Sequence, residues 1–80
     1  IYVLRLEQGA WDTFTRSFHR SFEGAVAAAL KEYNDDLKLY QDPPAPAAST
    51  NFVLWSENIW RWYPPEGYEE YVISKVELKD

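Results

Sequence analysis

The stretch SFEGAVAAALKEYNDDLKLY, residues 21–40, predicts a helix, and this element decides how the segments on either side of it are interpreted. Ser21 is a favourable N-cap residue, since its hydroxyl can accept a hydrogen bond from a backbone N–H of the first turn. Apolar residues then recur at spacings of three and four, which draws one apolar face along about five turns. These residues are Phe22, Val26, Ala29, Leu30, Tyr33, Leu37 and Tyr40. The polar run 34–36 is a place where the helix could end early.

The chain before this helix has the alternation of a β-hairpin. Residues 1–7, IYVLRLE, predict a strand with Tyr2, Leu4 and Leu6 on one side and Val3, Arg5 and Glu7 on the other. Gln8 and Gly9 supply the turn, and residues 11–19 form a second strand rich in Thr and Ser. A helix is the alternative for this second segment, because Trp11, Phe14 and Phe18 also stand three and four residues apart.

The chain after the helix begins with a connection and returns to strands. Residues 42–51, DPPAPAASTN, cannot continue a helix and predict a loop within one domain spanning residues 1–80. Residues 52–55 and 59–63 flank a short turn, and residues 71–78 predict a closing strand after the turn at 64–67. The order ββαβββ predicts an α+β fold, an antiparallel sheet of four or five strands with one helix packed on one face.

Composition narrows the function classes. The 80 residues contain four Trp, six Tyr and four Phe, no Cys and one His, and carry a net charge of −5. Without Cys there is no disulfide scaffold and no Cys/His zinc site. An acidic chain is poorly suited to binding nucleic acid directly, since phosphate contacts require clustered cations. No run of about 20 apolar residues predicts a membrane span, so we expect a cytoplasmic protein.

The sequence does not contain the residue constellations of common enzymes. His19 has no Ser and Asp at spacings that suggest a triad, and the three glycines are isolated, so no phosphate-binding loop is predicted. Glu66, Glu69 and Glu70 flank a turn, where carboxylates usually remain solvated. We therefore expect no enzymatic activity, no cofactor and no metal site.

The strand at 59–63 carries the most unusual pattern. Trp60 and Trp62 lie on one of its faces, whereas Ile59, Arg61 and Tyr63 lie on the other. One face must pack against the helix, and the alternation does not say which. Trp, Tyr and Arg dominate the energetics of protein interfaces, so we expect Trp60, Arg61, Trp62 and Tyr63 to include a partner-binding surface.

Carboxylates provide a second indication of binding. Residues 1–41 hold five cations and six anions, whereas residues 42–80 hold three cations and seven anions. Most acidic surfaces serve solubility. The alternative is that Asp35 and Asp36, or Glu66, Glu69 and Glu70, meet a basic groove on another protein and compete there with nucleic acid.

Small size, absence of Cys, acidic charge and surplus aromatics together resemble, in type, compact phage or mobile-element proteins, including anti-CRISPR inhibitors. This resemblance implies a non-enzymatic inhibitor in the cytoplasm of a bacterial host. Its partner would be a CRISPR effector complex or another basic nucleic-acid-binding protein, and it would act as a monomer or homodimer. The alternative is a cellular accessory or structural domain that homodimerises through its sheet.

Overall fold

A computed structural model describes residues 1–9, 12–65 and 69–77. Its elements are β1 (Tyr2–Gln8), β2 (Asp12–His19), α1 (Phe22–Leu37), β3 (Val53–Ser56), β4 (Ile59–Trp62) and β5 (Glu69–Lys75). The five strands form one sheet in the order β2-β1-β5-β4-β3, with antiparallel pairing throughout. The predicted α+β class and the ββαβββ order are confirmed. The closing strand begins two residues earlier than predicted and ends at Lys75.

The helix begins where the sequence predicts. Ser21 has extended backbone angles, and its Oγ accepts a hydrogen bond of 3.0 Å from the backbone N–H of Gly24. The helix continues through residues 34–36, so the early end does not occur, but it stops at Leu37 rather than reaching Tyr40. The backbone N–H groups of residues 38–40 bond to carbonyls three residues back, which tightens this end into a turn.

The second segment is a strand, as the Thr and Ser content indicated. Phe18 pairs with Val3 across the β1–β2 ladder and is 68% exposed. Phe22, four residues further on, instead packs its ring against Tyr2 and Trp60. These two aromatic residues therefore lie in different environments, and their helical spacing reflects no common face. Trp11 lies outside the described residues.

The core lies between α1 and one face of the sheet. Ala25 and Ala29 are fully buried, and their small side chains let the helix approach the strands closely. Leu4 and Leu6 of β1 stand opposite Ile73 and Tyr71 of β5, and all four are buried on the face toward the helix. This apolar layer follows from the period-two alternation of both central strands.

The connection at residues 42–51 has no regular secondary structure, as predicted. It is attached to the helix by Asn34, whose amide donates to the carbonyl of Ala47 at 3.0 Å and accepts from its N–H at 2.8 Å. This paired contact satisfies backbone groups of a segment that offers few large side chains. Within the described ranges no helix has the length and apolarity to cross a membrane.

We expect Ser21→Ala to lower the free energy of unfolding by about 1 kcal/mol, because a first-turn N–H loses its acceptor. Urea denaturation followed by circular dichroism measures the change. Ser49→Ala, at an exposed position of the 42–51 connection, is the matched control and should leave stability unchanged. An equal loss in both variants would contradict a capping role for Ser21.

Candidate functional site

Strand β4 directs its two tryptophans toward the helix. Trp62 is 5% exposed and contacts Tyr33 at 5.3 Å, Phe52 at 5.8 Å and Tyr71 at 5.7 Å between ring centroids. Trp60 is half-buried against Tyr2 and Phe22. Of the two faces that the sequence left open, the tryptophans occupy the one toward α1. Arg61 therefore lies on the opposite side of the sheet.

We call the sheet face opposite α1 the open face, since none of the described residues outside the sheet forms a layer over it. Alternation and strand register place Val3, Arg5, Glu7, Phe18, Val53, Ile59, Arg61, Glu70, Val72 and Ser74 there. Val3 and Val72 are nonetheless only 4% exposed. The open face thus has an apolar centre.

Three charged side chains form a network on the open face. Glu7 of β1 and Glu70 of β5 stand directly opposite each other, an arrangement in which two carboxylates repel. Arg61 of β4 pairs with both carboxylates. Its guanidinium donates to Glu7 Oε2 at 3.0 Å and to Glu70 Oε1. The hydrogen bond to Glu70 is the main cause that raises the pKa of Arg61. One guanidinium therefore neutralises part of a repulsive pair.

Aromatic side chains lie around this network and are largely exposed. The Arg61 guanidinium lies 5.4 Å from the centroid of the Trp55 ring, a cation–π distance. Trp55 and Tyr63 are each 65% exposed. The Glu70 carboxylate raises the pKa of Tyr63, chiefly by a hydrogen bond to its hydroxyl. The structure thus joins the predicted residues Arg61, Tyr63 and Glu70 in one cluster.

Trp55 is the residue that sequence reasoning missed. Leu54 pairs with Trp60 and so shares the helix side of the sheet, whereas Trp55 lies at the register irregularity between Leu54 and Ser56 and contacts Arg61 on the open face. The strand register of the predicted 52–63 hairpin was the signal that could have identified Trp55. Val53, two residues before Trp55, stands opposite Arg61.

The outermost strand, β3, exposes apolar residues without any charge. Val53, Leu54 and Trp55 are between 60% and 65% exposed, and the strand contains neither Lys nor Pro. Sheet edges usually carry charged residues such as Lys, or Pro, and these prevent pairing with another chain. Both edges have an irregularity in register, but the edge formed by β2 also includes the charged residues Asp12 and Arg16. The β3 edge is consequently the less protected one.

The remaining predicted carboxylates separate into different environments. Asp35 forms ion pairs with Lys31 at 2.9 Å and Lys38 at 3.5 Å, and the Lys31 hydrogen bond lowers the pKa of Asp35. Asp36 instead lines a cavity of about 350 Å³ together with Glu69. Alternation within β5 thus sends Glu69 and Glu70 to opposite faces of the sheet. Glu66 lies outside the described residues.

The only histidine forms a local contact. Its Nε2 lies 2.6 Å from Ser17 Oγ. Among the described residues, no group of three or more His, Asp and Glu side chains is arranged to hold a metal ion.

No protein-family model, curated protein or solved structure matches this chain.

We expect Arg61→Met to lower the free energy of unfolding by about 1–3 kcal/mol, because it leaves Glu70 buried without its cation. Adding Glu70→Gln should recover part of this loss, giving a coupling of about 1 kcal/mol in a double-mutant cycle. Urea denaturation at pH 7 provides the four stabilities.

The matched control is the exposed pair Lys31 and Asp35, tested as Lys31→Met with Asp35→Asn. Its coupling should be clearly smaller, because solvent screens an exposed pair. Additive effects of Arg61→Met and Glu70→Gln would contradict an energetic link across the open face.

Proposed function

We propose that this domain is a non-enzymatic inhibitor of the anti-CRISPR kind, which binds a basic nucleic-acid-binding protein through the open face and blocks its nucleic-acid site. One observation supports this most directly: Trp55 and Tyr63, both largely exposed, lie around an Arg61 side chain that is already held by two carboxylates. Trp, Tyr and Arg are the residue types that contribute most to binding energy at protein interfaces.

Preorganisation of Arg61 favours binding. Ordering a long side chain at an interface costs about 0.5–1.5 kcal/mol, and here the network on the sheet has already ordered it. Exposed Phe18 and Val53 extend the apolar area on the same face. A flat face of this composition suits a protein surface better than a small molecule, which requires a concave site.

The charge of the domain favours a basic partner. On the open face itself, Glu7 and Glu70 balance Arg5 and Arg61, so this face has no excess of cations to hold phosphates. The whole chain carries −5, and exposed carboxylates include Glu23, Asp42 and Glu57. Such a field accelerates association with a positively charged protein and would compete with nucleic acid for the same site.

We expect the immobilised domain to retain at least one purified RNA-guided effector complex and to prevent that complex from shifting its target DNA in a gel. Trp55→Ala and Tyr63→Ala should each weaken this binding by about tenfold or more, as expected for central aromatic contacts. Surface plasmon resonance measures the affinities.

Phe14→Ala is the control, because Phe14 is an exposed aromatic that pairs with Leu6 on the other side of the sheet. It should change affinity by less than about twofold. The proposal fails if no basic nucleic-acid-binding complex is retained, or if Phe14→Ala weakens binding as much as the two open-face variants.

A second candidate is a structural domain that homodimerises through β3, which the exposed and uncharged edge favours. Antiparallel pairing of β3 with β3 of a second copy satisfies a two-fold axis and would join two sheets into one. In that case we expect light scattering to give twice the 9.4 kDa mass of the chain, and Leu54→Lys to restore the monomer. A monomer at all concentrations would exclude this candidate.

A further inference from the structure

The cavity at the end of α1 combines tyrosines with carboxylates. It lies between the last turn of the helix, the segment after β4 and the start of β5, and has a volume of about 350 Å³. Tyr33, Tyr40 and Tyr71 contribute aromatic walls, and Asp36 and Glu69 contribute the two acidic groups. Gln8 donates a hydrogen bond to Glu69 Oε1, which holds this carboxylate in position. Aromatic faces and carboxylates both attract cations.

The electrostatic environment of the cavity is negative. None of the described residues that line it is Lys, Arg or His. The helix ends there at Leu37, so the negative end of the helix dipole adds to the two carboxylates. The pKa of Tyr71 is raised, first by burial and then by the carboxylates of Glu32, Asp36 and Glu69, against a smaller lowering effect of Arg16. The same negative potential that disfavours ionisation of Tyr71 would stabilise a bound cation.

Tyr71 provides an independent indication of a ligand. Its side chain is 1% exposed, and it lines the cavity. Among the described residues its hydroxyl makes no hydrogen bond to another protein group, and it is not one of the fully shielded side-chain atoms there. A ligand in the cavity can supply that partner, since the hydroxyl accepts from an N–H donor.

We propose that this cavity binds a compact organic cation, namely a guanidinium or alkylammonium group such as the end of an Arg or Lys side chain. Its lining combines tyrosines with two carboxylates, which together favour an organic cation over a hydrated metal ion. A divalent metal would also require more oxygen ligands than two carboxylates supply. The cation comes either from a free small molecule or from a side chain that a protein partner inserts.

This inference does not depend on binding at the open face. Glu69 and Glu70 are neighbours in β5, yet the first lines the cavity and the second pairs with Arg61 on the opposite side of the sheet. Trp55→Ala and Tyr63→Ala should therefore leave cation binding intact, so the two proposals can fail separately.

The test is an NMR titration of the chain with butylguanidinium, using butylurea as a neutral probe of similar shape. We expect saturable shifts of the Tyr33 and Tyr71 ring resonances with butylguanidinium and none with butylurea. Equal shifts with both probes, or no saturable shift at the lining residues, would overturn the proposal. This arm uses the unmodified chain and does not depend on the folding of any variant.

The second arm tests the carboxylates. Asp36→Asn with Glu69→Gln should weaken butylguanidinium binding by about tenfold, because both charge-assisted contacts are lost. Glu23→Gln with Glu57→Gln removes the same charge from exposed positions that do not line the cavity, Glu23 lying at the opposite end of α1, and should change affinity by less than about twofold. Equal losses in the two double variants would show nonspecific attraction and reject the site.

The third arm identifies the source of the cation. A capped Gly-Arg-Gly peptide that binds more tightly than butylguanidinium supports an inserted partner side chain. A peptide that binds more weakly than the free probe supports a small-molecule cation. Either order agrees with the proposed cavity chemistry. Tyr71→Phe should lower the affinity for butylguanidinium by about threefold, because it removes the hydroxyl acceptor.

Discussion

The packing of Trp62 beneath α1 is the contact on which the rest of the structure depends. Its ring meets Tyr33 of the helix, Tyr71 of the neighbouring strand and Phe52 from the segment before β3. One side chain thereby joins the helix, the sheet and the second hairpin. Because side chains alternate across a strand, burying Trp62 on the helix side requires Arg61 to lie on the open face. The interior thus determines which residues are available for binding.

The Arg61 network adds a constraint on register. A shift of one residue in β5 would move Glu70 into the apolar layer and Tyr71 out of it, at a high cost in desolvation and lost packing. Ion pairs of this kind contribute little net stability compared with apolar residues, but they penalise incorrect pairings. The same network fixes Arg61 beside Trp55. Correct strand pairing and an ordered binding face therefore have a common origin.

The cavity at the C-terminal end of α1 and the open face offer different chemistry to other molecules. The open face is broad and aromatic, with charges that largely cancel, and it suits the surface of a protein. The cavity is small and acidic, with Asp36 and Glu69 beside buried Tyr71, and it suits a single cationic group. Both features agree with an acidic domain that approaches a basic partner. They lie on opposite sides of β5, so each can be altered without removing the other.

The sequence by itself determined the order of the elements, the N-cap at Ser21 and the placement of Trp60 and Trp62 on the same face of one strand. Local periodicity and capping chemistry specify these features. The sequence did not determine which face α1 covers, since both sides of β4 carry large side chains. Only the tertiary structure decided this, because Leu4, Leu6, Tyr71 and Ile73 form the apolar layer against which α1 packs. That choice buried the tryptophans, turned Trp55 outward, and brought Asp36 and Glu69 together from segments more than 30 residues apart. Such long-range contacts depend on strand pairing, which no local pattern contains.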